Sequence, residues 1–217
     1  MTEVIFGWLG LLGGLLTACG DLLLDLKGRD NKKLGKHGYI ESAWETMPAW
    51  RFKLSLLLAA AGVPLYFLGI SSLAMQMTNT AFALAFWIVM LVGATGGFFI
   101  HALLCIYPLL YRKLRNRLSF DETEAVLNVG YDAAKIPFFI QFSLLVFGSS
   151  VMVIIAVTMG YLPLPVWAIV FTPLCLMVVG VLFRVIKRDW FCDLPGIIMP
   201  SLGLGLLGLM AVVNAGL

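Results

Sequence analysis

"TACGDLLLDLKGRD", residues 17–30, closes an apolar run with two carboxylates, Asp21 and Asp25, one helical turn apart. Residues four apart share a helix face. The run that they end, residues 4–25, is long enough to cross the hydrocarbon layer, which takes about 20 helical residues. An ionised carboxylate in hydrocarbon costs on the order of 2.5–3.5 kcal/mol to insert. A helix with two on one face must turn that face to the protein interior, to water or to a partner.

The rest of the chain repeats the pattern of that first run. Of 217 residues, 61% are hydrophobic and 12% charged, where a soluble domain is about a quarter charged. Six runs have spanning length: 4–25, 54–75, 80–111, 137–159, 163–186 and 194–215. They predict one integral membrane domain over residues 1–217, an all-α transmembrane bundle of six helices. The third run is too long for an upright crossing; it must tilt, protrude or bend, and "GATGG" (93–97) is its weak point. "LTACG" (16–20) fits a lipoprotein cleavage box, but "MTEV" before the run has no Lys or Arg, so residues 1–25 read as a permanent span.

The cations fix an orientation. All 15 Lys and Arg fall in or beside the first, third and fifth links, residues 26–53, 112–136 and 187–193 or their flanks. These links alternate with nearly uncharged ones, so the cations share one side. Lys and Arg next to spans mark the cytoplasmic face. The expected topology has both termini outside, in a bacterial cytoplasmic membrane. The basic residues are explained by orientation and by anionic headgroups; membrane lipids are the expected partners, and nucleic acid is not one.

Two links carry helical signals. His37, Glu41 and Glu45 recur every four residues beside Ile40, Trp44 and Met47, the pattern of a helix lying in the interface. Ser119 and Glu122 form a capping box at the head of residues 119–136. A second interfacial helix is expected there, ending before Pro137. In the first run, Gly10 and Gly14 have the GxxxG spacing of close helix packing.

Ionisable groups crowd toward the cationic side. Asp21 and Asp25 end the first run, His101 lies in the second half of the third, and Asp193 opens the sixth. The His37, Glu41 and Glu45 row and Tyr107 lie at the same level. Two readings stand for each group. Asp21 and His101 are a catalytic pair, one the general acid or base and the other its proton partner, or they are interhelical hydrogen-bonders. Asp25, His37, Glu41, Glu45, Tyr107 and Asp193 bind a substrate, or serve as ion pairs, caps and wet helix faces. The functional expectation is a lipid-like small molecule bound or converted by acid–base chemistry. The rival expectations are a small proton-coupled transporter and a non-catalytic assembly partner. The cofactor is left open: a divalent metal held by carboxylates and His would draw its ligands from separate segments, which spacing along the chain does not test. Cys19, Cys105, Cys175 and Cys192 lack zinc-site spacing, and no metal ligands are assigned.

Residues 20–52, "GDLLLDLKGRDNKKLGKHGYIESAWETMPAWRF", followed by "GVPLYFLG" (62–69), resemble the signature region of an uncharacterised family of bacterial multi-pass membrane proteins. That likeness implies a membrane fold and no particular activity. Gly20, Asp21 and Leu24 are similar to a motif of the lysoplasmalogenases, which implies hydrolysis of a vinyl-ether lipid by a bundle of usually eight spans. "HGYIE" (37–41) is similar to the His-x-x-x-Glu of emopamil-binding-type sterol isomerases, where it lies inside a span.

Overall fold

The computed structural model describes residues 1–187, 191, 193 and 198–216. Helix α1 covers Thr2–Asp25, α2 Ala49–Met75 and α3 Thr80–Arg115. Helix α4, Phe120–Phe142, continues through a π-helical segment, Ser143–Gly148, into α5, Ser149–Thr158. Helix α6 covers Pro173–Ile186 and α7 Met199–Gly216. Among the described residues, five helices are long and apolar enough to cross a membrane: α1, α2, α3, the continuous Phe120–Thr158 helix and α7. The protein is therefore an all-α integral membrane protein.

Glycines decide how these helices meet. A Cβ built on Gly10 would strike the backbone of Gly69 in α2, and one on Gly14 would strike Gly205 in α7. Gly13 stands equally close to the Tyr66 backbone. Helix α1 thus lies in backbone contact with both α2 and α7, because no side chain stands between them. At one end of this seam, Gln76 Nε2 donates to the Ala211 carbonyl (3.0 Å) and Asn214 Nδ2 to Gln76 Oε1 (2.8 Å). Tyr66, Ile70, Phe86, Met90, Val153 and Leu207 fill the core beside it. At the other end a second core, with Ile40, Trp44, Phe52, Tyr111 and Leu127, joins the first link to the helices.

Three expectations need correction. Residues 37–47 do not form an interfacial helix. Strands β1 (Lys33–Leu34) and β2 (Ile40–Glu41) pair antiparallel, and a single 3-10 turn, Ser42–Glu45, follows. Gly35 and Gly38, with φ of 80° and 66°, reverse the chain between the strands in a conformation that costs glycine little. Asn31 completes the fold: its Oδ1 accepts from Ala43 N (3.2 Å) and its Nδ2 donates to Glu41 Oε2 (2.9 Å).

The helix expected after residue 119 begins at its capping box, where Glu122 N donates to Ser119 Oγ (3.3 Å) and Ser119 N to Glu122 Oε2 (2.8 Å). It does not end before Pro137, which lies inside α4. In an apolar surrounding, one missing hydrogen bond at proline is tolerated, whereas ending the helix would strand several backbone groups. The third run is one continuous helix of 36 residues through residues 93–97, whose glycines receive side chains from α4 and the π segment. The fifth run, 163–186, is not one helix: a 3-10 helix, Val166–Phe171, stops at Thr172, whose ψ of 153° is the extended backbone favoured before Pro173. The opening of the sixth run, residues 194–197, and Cys192 lie outside the described residues.

Candidate functional site

Five side chains from four helices converge inside the bundle. Asp21 Oδ1 lies 3.3 Å from His101 Nδ1, and Ser201 Oγ in α7 donates to Asp21 Oδ2 at 2.5 Å. Behind His101, its Nε2 lies 3.0 Å from Ser55 Oγ. Ser55 Oγ donates to the Gly20 carbonyl at 2.8 Å and accepts from Cys105 Sγ at 3.4 Å. Local sequence makes this possible. Gly20 lets α2 approach near enough for Ser55 to reach its carbonyl, and His101 and Cys105, four apart on α3, share a face.

Proton bookkeeping orders the set. Ser55 has one hydroxyl proton, and the Gly20 carbonyl takes it. The ring nitrogen Nε2 must then donate to Ser55, which leaves Nδ1 and Asp21 Oδ1 to share a proton. Both ring nitrogens of His101 are occupied, while each Asp21 oxygen keeps a free lone pair. Asp21 is the member that can meet a ligand, and His101 is its proton partner.

Asp21 and His101 line a cavity of about 330 Å³ whose other walls come from α2, α3, the α4–π segment and α7. Ser55 and Cys105 stand behind that wall, both fully buried. A groove of about 360 Å³ between α3 and α4 adjoins it, lined by Leu103, Tyr107, Phe138 and Phe139 and edged by Lys33 and Lys135. A smaller pocket of about 150 Å³ lies under the first link. Leu104 lines all three.

The remaining candidates are not brought to Asp21 and His101 as a set. Asp25 lines the cavity's edge and pairs with Lys27 Nζ at 2.5 Å. Lys27 Nζ also meets Glu41 Oε2 at 2.7 Å, and Lys33 pairs with Glu41 Oε1. Burial works against the charge of Lys27, but Asp25 and Glu41 outweigh it and hold its pKa above the ordinary value. Burial likewise opposes ionisation of Glu41, yet Lys27 and Lys33 hold its carboxyl below the usual range.

The expected row of His37, Glu41 and Glu45 is dispersed, since no helix aligns it. Glu45 Oε1 accepts from Tyr111 Oη at 2.8 Å, and His37 N donates to Glu124 Oε1 at 3.2 Å. The His37 ring opens a ladder through Tyr39, Tyr131 and Tyr107, with centroids 5.9, 4.7 and 4.2 Å apart. Asp193 Oδ2 accepts from the amides of Lys27 (3.2 Å) and Gly28 (3.0 Å), just past the end of α1. Arg51 also holds that helix end, its Nε donating to the Leu23 carbonyl and its Nη2 to those of Leu22 and Leu26. These groups fasten the first link over the site. Among the described residues, no three His, Cys, Asp or Glu side chains converge as a metal would require.

The model of a protein family described as "Family of unknown function (DUF6796)" matches residues 2–216. The chain belongs to that family. Comparison with curated proteins and with solved structures finds no match. Membership in DUF6796 agrees with the resemblance seen in residues 20–52 and brings no activity with it. The chemistry at Asp21 must be argued from geometry alone. That geometry depends on residues whose sequence context held no signal: Ser55, Ser201, Tyr66 and Gln141 are uncharged polar residues scattered in apolar runs, and only packing shows which of them meet.

Proposed function

We propose that the protein binds a lipid-like substrate and acts on it by acid–base chemistry at Asp21. The observation that carries this reading is the carboxylate–imidazole pair, 3.3 Å apart, on the wall of a 330 Å³ cavity next to an apolar groove. Asp21 serves as general acid or base, and His101 supplies or takes the balancing proton. An amphiphile reaches the cavity sideways along the groove between α3 and α4, with any anionic headgroup held by Lys33 and Lys135 at the rim.

The same reading places this end of the bundle at the cytoplasmic face of a bacterial membrane, because the links that cover it carry the cations. Both termini then lie outside, which requires a fifth crossing between Thr158 and Met199. The 3-10 helix and α6 together measure about 33 Å at roughly 2.0 and 1.5 Å per residue, enough for a broken crossing.

Lipid mass spectrometry on gently purified protein tests the site. Wild type is expected to carry a bound amphiphile. The Asp21→Asn variant, still folded, is expected to retain it at least about tenfold less, or to hold it as unconverted substrate, since a hydrogen bond to a charged group contributes about 1.5–3 kcal/mol. An unchanged lipid complement in Asp21→Asn would refute acid–base chemistry at Asp21. Altered proton-dependent uptake into liposomes would favour a transport pathway instead.

A further inference from the structure

Seven polar side chains line the central cavity, and the protein itself employs five of them. Thr17 donates to the Gly13 carbonyl, and Asp21, Asp25, His101 and Ser201 are all paired. The other two are Tyr66, 2% exposed, and Gln141, 8% exposed. Among the described residues, neither the Tyr66 hydroxyl nor the Gln141 amide has a hydrogen-bond partner. Buried polar groups are almost always paired; these two are not among the fully enclosed unpartnered atoms of the described residues, which are Thr123 Oγ1, Asn128 Oδ1 and Asn214 Oδ1, so their polar ends open into the cavity.

These two groups also converge. A Cβ placed on Gly97 would lie 3.2 Å from Gln141 Oε1 and 4.0 Å from Tyr66 Oη. Both polar ends therefore face the same bare stretch of α3 backbone on the cavity wall. Gln141 stands two residues before the π-helical segment, a rare conformation that recurs at functional sites. The cavity offers an anion no spare cation: Asp21 and His101 are paired with each other, Asp25 with Lys27, and no Lys or Arg lines it among the described residues. The lysines, Lys33 and Lys135, edge the adjoining groove.

From this we infer that Tyr66 and Gln141 hold an uncharged oxygen function, a hydroxyl or a carbonyl, of the amphiphile that occupies the cavity. The inference rests on the lipid-like reading above and narrows its substrate class. A Tyr O–H and a Gln amide both donate and accept, so they match a neutral oxygen group. A phosphate or carboxylate in the same place would face Asp21 with no lysine or arginine beside it. Apolar walls from Val63, Phe142 and Leu145 take the adjoining hydrocarbon. The reacting position then lies between this oxygen clamp and Asp21, with anionic charge kept at the rim.

The test uses the full chain in detergent and three probes of equal chain length: 1-oleoylglycerol, oleate and 1-octadecene, titrated by native mass spectrometry. Oleoylglycerol is expected to bind tightest. Tyr66→Phe and Gln141→Leu are each expected to weaken it by about three- to tenfold, the size of one hydrogen bond, and to leave octadecene unchanged. Tyr66→Phe removes a single oxygen and keeps the ring, so it decides the matter even if Gln141→Leu does not fold. Wild-type affinity for oleoylglycerol in Tyr66→Phe, or tighter binding of oleate or octadecene, overturns the clamp and leaves a water-filled recess. Loss of oleoylglycerol in both variants, with an unchanged lipid complement in Asp21→Asn, supports the clamp and refutes only the acid–base reading.

Discussion

The same residue builds opposite things on the two sides of this molecule. On the α1 seam, Gly10, Gly13 and Gly14 meet the backbones of α2 and α7. On α3, Gly93, Gly96 and Gly97 meet the side chains of Leu145 and Gln141. A glycine against backbone leaves no volume and nothing that can yield. A glycine against side-chain tips leaves a recess whose size depends on rotamers. The first arrangement makes a rigid three-helix spine, and the second makes the cavity beside it. Asp21 stands on the spine and looks into the recess, so a fixed carboxylate faces an adaptable wall.

Substitutions on the two sides should therefore behave differently. The largest effect is expected from Gly10→Val, which drives a branched side chain into the Gly69 backbone. A loss on the order of 3 kcal/mol or more is expected, read as failure to give monodisperse protein or as a collapsed melting temperature in detergent. A Gly10→Val protein as stable as wild type would mean that the seam is not in backbone contact.

An intermediate effect is expected from Glu41→Gln in the link that covers the site. Lys27 and Glu41 have side chains only 11% and 8% exposed, and removing one charge leaves Lys27 to Asp25 alone. The expected cost is about 1–3 kcal/mol, below that of a fully orphaned buried charge. Its pH dependence follows from the direction of the shifts. Glu41 is held below its ordinary 4.5, so its contribution is complete above that value and is lost as pH falls through the lowered one. Lys27 is held above its ordinary 10.5, so its contribution is complete below that value and is lost as pH rises through the raised one. Thermal scans from pH 7 toward pH 3 should show a steeper loss in wild type than in Glu41→Gln.

The smallest stability effect is expected from Gly97→Ala. Its Cβ would press on Leu145 Cδ1, 2.8 Å away, and on Gln141 Oε1, both ends of flexible side chains. Melting should change by the equivalent of about 1 kcal/mol or less, while the copurifying amphiphile falls because the recess is narrowed. A large loss of stability would show that this wall is as rigid as the seam.

Much of the fold is readable along the chain, and the failures have physical causes. The apolar runs locate the helices, and Ser119 with Glu122 marks the start of α4, because both signals are local. Pro137 misleads, since a proline that ends a helix in water is carried through in lipid, where the alternative strands more backbone. The four-residue spacing of His37, Glu41 and Glu45 misleads as well. Gly35 and Gly38 stood in the same stretch, and their left-handed turns, with the side chain of Asn31, outcompete the helix.

The site divides in the same way. Asp21 stands out because a carboxylate in an apolar run is expensive and must be used. Tyr66, Gln141 and Ser55 do not stand out, because a lone polar side chain in a membrane helix costs little until its neighbours are known. Sequence alone determined that this chain enters a membrane, because transfer of each apolar segment depends on that segment's own composition. That Asp21 meets His101 and Ser201, the latter 180 positions away, was decided only when glycine contacts set the helix rotations and brought those faces together.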